Sequence, residues 1–415
     1  MFAKYFESRQ RIDELAANPE SNLLEGFTLR LWGVGYAGIT ARRHLRAAEH
    51  LLYWAHKNRI VSTNLSADVI RRFGNHLRKC ACSRYGHADR EGVMHGVRLF
   101  TDYLQEAGIM TSFNPDDKPL DPELLVQFCQ WMHERRGTKD STLSTYSISI
   151  RNLLRTVGTD PTSFTAHQLR RFVLNESAGQ GLAATKNCTT ALRVFLRFLI
   201  AEGKCRAGLD ASVPTVANWC LSSLPRYIHA DDVEKVIASC DRTTPVGVRD
   251  YAIVLMLARL GLRAGDLVRL RLGDIDWQGA SISITGKSGR PMRFPLMRDI
   301  GHAIVDYIRR ARPASGTDAL FVSCRAPFNA FASHCAVSVI VERAMRRSGV
   351  VCPSGGAAHV LRHSVATSML RDGTSLQDIA LVLGHKSSVT TQIYAKVDLP
   401  ELQKIAQPWP EAQSC

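Results

Sequence analysis

The sequence predicts a multidomain protein: an all-α N-terminal region, then an α+β, mainly helical domain with one small antiparallel sheet. Three observations predict it. Through the first half, apolar residues recur at spacings of three and four, as in Val97 to Leu104 and Ala191 to Ile200, with a glycine just beyond. In the second half, two short alternating runs, Ser281–Thr285 and Pro291–Pro295, flank Gly286-Lys287-Ser288-Gly289-Arg290, which reads as a hairpin turn. Between the halves, Cys205 to Leu224 carries Gly208 and Pro214, abuts Pro225 and lacks sustained periodicity; it reads as a linker.

The helical half reads as an internal repeat. Leu65-Ser-Ala-Asp-Val-Ile-Arg-Arg-Phe73 resembles Phe164-Thr-Ala-His-Gln-Leu-Arg-Arg-Phe172, at an offset of 99. Arg98, Phe100, Leu104 and Gly108 match Arg193, Phe195, Leu199 and Gly203, at an offset of 95. Residues 20–112 and 113–208 therefore read as two copies of one small helical unit. Chance likeness between amphipathic helices ending in glycine is the alternative. Basic residues intersperse these helices: Arg42, Arg43 and Arg46, then Arg151 and Arg155, then Lys186, Arg193 and Arg197. Such a stripe is usually a solvated face. From Pro225 onward a helix beginning near Ala230 precedes a buried-looking helix, Asp250 to Leu260, then the two strands, and helices fill most of the remainder. The expected domains are 1–112, 113–208 and 225–415, with a linker over 209–224.

A chain of 415 residues has room for two or three domains with ample core. Its 45% hydrophobic and 22% charged content is that of a soluble globular protein. The charge balance is less ordinary: 53 Lys+Arg against 38 Asp+Glu, formally +15, which favours polyanions such as nucleic acid or an anionic membrane surface. No apolar h-region follows Met1-Phe2-Ala3-Lys4, and the longest apolar run, Tyr251 to Ala258, is far short of the roughly 20 residues that span a bilayer. Eleven cysteines without framework spacing suit reduced thiols, hence a cytoplasmic protein without membrane attachment. Cys80-Ala-Cys82 with His87 and His95 offers zinc ligands, but C-x-C is not the usual C-x₂₋₄-C spacing, so no metal is expected.

The C-terminal part carries the chemistry. His359-Val-Leu-Arg362-His363 and Leu383-Gly-His385, followed by Thr390-Thr-Gln-Ile-Tyr394, place His359, Arg362, His385 and Tyr394 at gaps of 3, 23 and 9. A tyrosine closely following Arg and His suits attack on a phosphodiester by a phenol. With a pKa near 10, a phenol is a poor nucleophile at neutral pH unless cations or a base assist it. Guanidinium forks match phosphate oxygens bidentately. Arg362 is one such group; at i and i+3, His359 and Arg362 share a helical face, whereas His363 reads as facing elsewhere, in a packing or supporting role. Arg263, in Leu260-Gly-Leu-Arg-Ala-Gly-Asp-Leu267, is the second, with Asp266 three residues on, placed to orient it. His385 after Gly384 would ordinarily be read as a helix cap. Thr390 and Thr391 can cap a short helix presenting Tyr394, although an isolated Ile-Tyr pair is more often core filler.

Taken together, these motifs resemble the tyrosine recombinases, the phage-integrase and Xer-like family of DNA strand exchangers, over residues 113–415. The resemblance implies that Tyr394 attacks the scissile phosphate, forming a 3′-phosphotyrosyl bond and freeing a 5′ hydroxyl. Arg263 and Arg362 then hold the nonbridging oxygens, while His359 and His385 add hydrogen bonds or proton transfer. Asp266 stands where the family more often has Glu. Lys287, at the hairpin tip, takes the place of the family's general acid, with Arg290 and Arg293 as neighbouring cations. Residues 113–208 correspond to a core-binding domain that clasps the duplex; the first helical unit becomes an additional arm. Arg151, Lys186, Arg193, Arg197 and Arg290 become DNA contacts.

No cofactor is implied, and neither a G-x-x-x-x-G-K-[ST] loop nor an H-E-x-x-H pair is present. The implied partners are double-stranded DNA with a specific recombination site, a homotetramer on synapsed duplexes, and sister recombinases or accessory proteins, with the enzyme at the nucleoid. The tail Asp398 to Cys415, apolar at Leu399, Leu402 and Ile405, suits docking onto a neighbour or a self-packed helix. The additional arm points toward a mobile-element enzyme active in transposition. Two other readings stand beside this one: type IB topoisomerase-like relaxation, and a DNA-binding protein without strand exchange of its own.

Overall fold

The computed structural model describes residues 1–82, 85, 89–110, 121–217, 224–286, 291–353, 356–385 and 390–397. A short helix, α1 (Arg9–Ala16), leads into α2 (Ser21–Val34), α3 (Gly38–Lys57), α4 (Ala67–His76) and α5 (Arg90–Glu106). The next set is α6 (Glu123–Arg136), α7 (Asp140–Val157), α8 (Ala166–Ser177) and α9 (Leu182–Ala201). The two sets run in the same order, down to a 3-10 turn before the third helix of each, Ser62–Asn64 and Pro161–Ser163. Matched residues also play matched parts. Ser66 and Thr165 cap α4 and α8 by accepting from the N–H three residues on. Leu65, Ile70 and Phe73 are buried, as are Phe164, Leu169 and Phe172. Gly108 and Gly203 lie at φ +69° and +66°, where a side chain is strained.

By their contacts the residues fall into two bodies. One comprises Trp54–Arg90 and Leu104–Trp219; the other comprises Met1–Tyr53, Glu91–Tyr103 and Cys220–Cys415. The boundary thus passes through α3. In the first body, Phe128 meets Phe195 and Phe198 edge-on at 5.4 and 5.8 Å within an apolar core drawn from α6 to α9. Leu209 and Val213 belong to that core. Arg193 donates to the carbonyls of Val213 and Pro214 at 3.1 and 2.7 Å. The start of the expected linker is therefore docked, because its apolar residues have a core to enter.

In the other body, Phe27 on α2 packs edge-on against Phe100 on α5 at 5.2 Å. Its C-terminal part is built around α11 (Pro245–Leu260), buried along nearly its whole length, beside α10 (Ala230–Ala238). The sequence places the start of this helix at Asp250; Thr244 and Pro245 start it earlier, through a side-chain cap and a first-turn proline. After α12 (Ala264–Arg269) come β1 (Ile275–Asp276), β2 (Ser281–Thr285) and β3 (Pro291–Pro295), antiparallel in the order β1-β2-β3. Pairing of Ile282 with Phe294 aims apolar side chains at the core. The two expected strands are present; β1, two residues long, is too short for periodicity to reveal. α13 (Arg298–Asp306), α14 (His334–Ser348), α15 (Ala357–Arg371) and α16 (Leu376–Val382) complete the fold. The predicted class is the observed one. Among the described residues, no helix is long and apolar enough to cross a membrane.

Candidate active site

Two glycine-terminated helices build the cradle. α11 ends at Gly261, φ +60°, and α16 is followed by Gly384, φ +59°. Both turns leave carbonyls without intrahelical partners. Arg362, buried on α15, donates from Nη1 to Gly261 O at 2.7 Å and from Nη2 to Leu383 O at 2.6 Å. Arg263, which follows the α11 break and caps α12, donates to Gly384 O at 3.1 Å. The two guanidiniums are thereby brought to one place. Burial first, and then the nearby Arg263 charge, push Arg362 down to about 10, so it remains cationic at neutral pH.

Asp266 does not serve Arg263 alone. Its buried carboxylate lies 3.8 Å from Arg263 Nη1 but bonds Arg269 at 2.5 Å. The carboxylate holds two arginines, and the shorter bond goes to the one that the sequence did not single out.

Tyr394 lies in a 3-10 turn, Gln392–Val397, and is 1% exposed. Its hydroxyl is 2.7 Å from Nδ1 of His363. Burial raises the phenol to about 12, opposed by the charge of Arg362. Burial, then His359 and Arg362, lower His363 to about 4. A neutral phenol therefore faces a neutral imidazole, whose Nδ1 can accept the phenolic proton when Nε2 carries the ring's own. The reading of His363 as facing elsewhere is overturned. The signal was available: His359 and His363 are four apart, as close on a helical surface as the three-residue pair that was noticed.

His359 is lowered by burial, then by Arg362, His334 and Arg263. His385 donates its backbone N–H to Ala380 O, which closes α16, and its Nδ1 lies 2.7 Å from Thr391 Oγ1. It both caps and presents an imidazole. Burial, then the charges of Arg362, Arg263 and His363, bring it down to about 4. Thr391, expected as a cap, spends its hydroxyl on His385. One site thus gathers Arg263, His359, Arg362, His363, His385 and Tyr394.

Other expected site residues lie elsewhere. Lys287 and Arg290 fall outside the described residues, as does the tail from Asp398. Arg293 is tied to the sheet through Ser281 and Asp276, at 2.6 and 2.8 Å. Arg151 grips Asp121 with two bonds of 2.6 and 2.9 Å, and Arg197 bonds Asp210 at 3.0 Å. Lys186 is half-buried on α9. Those arginines hold the helical body together, so a phosphate would have to compete with bonds already made.

The sequence profile described as the phage integrase family matches residues 226–400. The putative integrase/recombinase y4rF of Sinorhizobium fredii (strain NBRC 101917 / NGR234) is 36% identical over 303 residues, covering 70% of each chain. The chain belongs to the phage integrase family. A second protein of that strain, the putative integrase/recombinase y4rA, is 46% identical over 243 residues, 58% of this chain and 59% of its own length. Among solved structures, the XerH site-specific recombinase bound to palindromic difH substrate is 18% identical, with a TM-score of 0.53 over 81% of this chain and 93% of that one. That likeness extends the integrase fold beyond the profile's limits. The expected family is thus the observed one.

Proposed function

We propose that this member of the phage integrase family is a site-specific DNA recombinase that cleaves and rejoins strands through a phosphotyrosyl bond at Tyr394. The observation that carries the reading is the setting of the Tyr394 hydroxyl, bonded to His363 and under the charge of Arg362. Deep burial alone would make the phenol inert. Next to a neutral imidazole and a guanidinium it has a proton acceptor and a counter-charge for the developing phenolate.

In the proposed reaction the phenol oxygen attacks the scissile phosphorus as its proton passes to His363. The bond to the 5′ oxygen breaks, and that oxygen gains a proton, from Lys287 by family resemblance. Arg263 and Arg362 take the nonbridging oxygens in place of the backbone carbonyls that they now hold; His359 and His385 donate to the same oxygens. Reversal by a partner duplex's 5′ hydroxyl conserves the phosphodiester energy. Double-stranded DNA with a recombination site is the substrate, and a tetramer on two synapsed duplexes the working assembly. XerH in complex with difH, and a lambda integrase tetramer bound to a Holliday junction, support this reading.

We further infer that the two helical sets are copies of one unit, with the second serving as the DNA clasp and the first as an arm. The test uses end-labelled duplexes from DNA flanking the encoding gene, with EDTA present. A covalent protein–DNA band formed by the wild type and absent from Tyr394→Phe is the expected result. DNA shifted but never covalently held, even on nicked suicide substrates, would contradict it.

A further inference from the structure

Outside the integrase site, one cluster of side chains among the described residues has the makeup of a metal centre. α4 ends at His76; a 3-10 turn, Leu77–Lys79, carries the chain to Cys80 and Cys82. The ring of Trp54, on α3, lies 5.9 Å from that of His76, and Phe73 lies 6.0 Å from it, so apolar rings wall the imidazole. The ligand atoms of His76, Cys80 and Cys82, all in the first body, lie within 4.8 Å of one another.

We propose that these three residues bind one zinc ion through two thiolates and an imidazole. The spacing fits the metal. Zn–S and Zn–N bonds of about 2.3 and 2.05 Å at a tetrahedral angle put sulfur about 3.6 Å from nitrogen. Cys82 Sγ is 3.5 Å from His76 Nε2. The backbone N–H of Cys82 points at Cys80 Sγ, at 3.5 Å, the kind of outer contact that steadies a thiolate ligand. The histidine is not one that the sequence suggested: His87 lies outside the described residues, and the ring of His95 is 5.3 Å from His44. Linear spacing failed because His76 ends α4, upstream of the cysteines, while zinc motifs are usually read downstream. A bound ion would staple the segment after α4 to the end of that helix and fix a stretch holding Arg78 and Lys79.

The test uses the full chain without a polyhistidine tag. Zinc by mass spectrometry in wild-type protein is compared with Cys80→Ser/Cys82→Ser and with a control, Cys335→Ser, whose thiol is exposed. About one equivalent of zinc in wild type and control, lost in the double variant, is the expected result. Since the double variant could fail to fold, the wild type is also stripped and titrated with Co²⁺. A tetrahedral cobalt spectrum with a sulfur charge-transfer band supports the site. Absence of zinc together with an octahedral, sulfur-free cobalt spectrum overturns it, as does a Cys80–Cys82 disulfide that forms equally with and without zinc.

Discussion

Arg362 shows how much of the site rests on single side chains. Its two bonds to Gly261 O and Leu383 O need a planar fork, which lysine lacks. Arg362→Lys keeps the charge but cannot offer that fork to the nonbridging phosphate oxygens, so cleavage of a labelled duplex is expected to fall on the order of 10²–10³-fold with DNA binding little changed; a loss under tenfold would mean that charge alone suffices. The buried imidazoles give a pH signature. His44, His363 and His385 are each lowered by burial to about 4 from the ordinary 6.5. Between those values the unfolded chain binds protons that the folded chain refuses, so stability falls as pH drops from about 6.5 toward 4. Each ring contributes on the order of 1 kcal/mol after allowance for partial solvent screening. Melting at pH 5 and 7.5 checks this, with His44→Phe expected to reduce the difference; an unchanged difference would sink the assignment. At this scale the motifs, read through the family resemblance, pointed to His359, Arg362, His385 and Tyr394, which the fold brings to one place. It concealed the His363–Tyr394 bond and the split loyalty of Asp266, both of which depend on how α15 and α12 are rotated in the packed fold.

Elements were legible where a local cause sets them. β2 and β3 appear at the residues where alternation places them, and the glycine stops at 108, 203, 261 and 384 all adopt positive φ. β1 and the early start of α11 were not legible from periodicity, because pairing across the sheet and a cap-plus-proline start override it. α3 and α5 approach closely at Gly96, where an added Cβ would lie 2.7 Å from Ala47 Cβ and 3.2 Å from the Cα of His44. Alanine gains about 1 kcal/mol of helix propensity over glycine. Here it meets atoms fixed to the neighbouring backbone, and overpacking of that kind costs about 1–3 kcal/mol. Gly96→Ala is therefore expected to lower the midpoint of urea unfolding; a higher midpoint would show that α3 and α5 can separate freely.

Over the whole molecule, the excess of Lys+Arg over Asp+Glu agrees with the proposed DNA substrate but could not locate the contacts. Arg151, Arg193 and Arg197, each plausible as a phosphate ligand, are engaged with Asp121, the Val213–Pro214 carbonyls and Asp210. A count of charges cannot see such partners. In the proposed reaction a buried phenol, Tyr394, becomes covalently joined to DNA. Trapping the protein on a nicked suicide duplex, digesting both components and locating the nucleotide-bearing peptide by mass spectrometry tests this at the bond itself. A single phosphotyrosyl adduct is expected on the peptide containing Gln392 to Val397, at Tyr394. An adduct on any other residue, with Tyr394 unmodified, would contradict it.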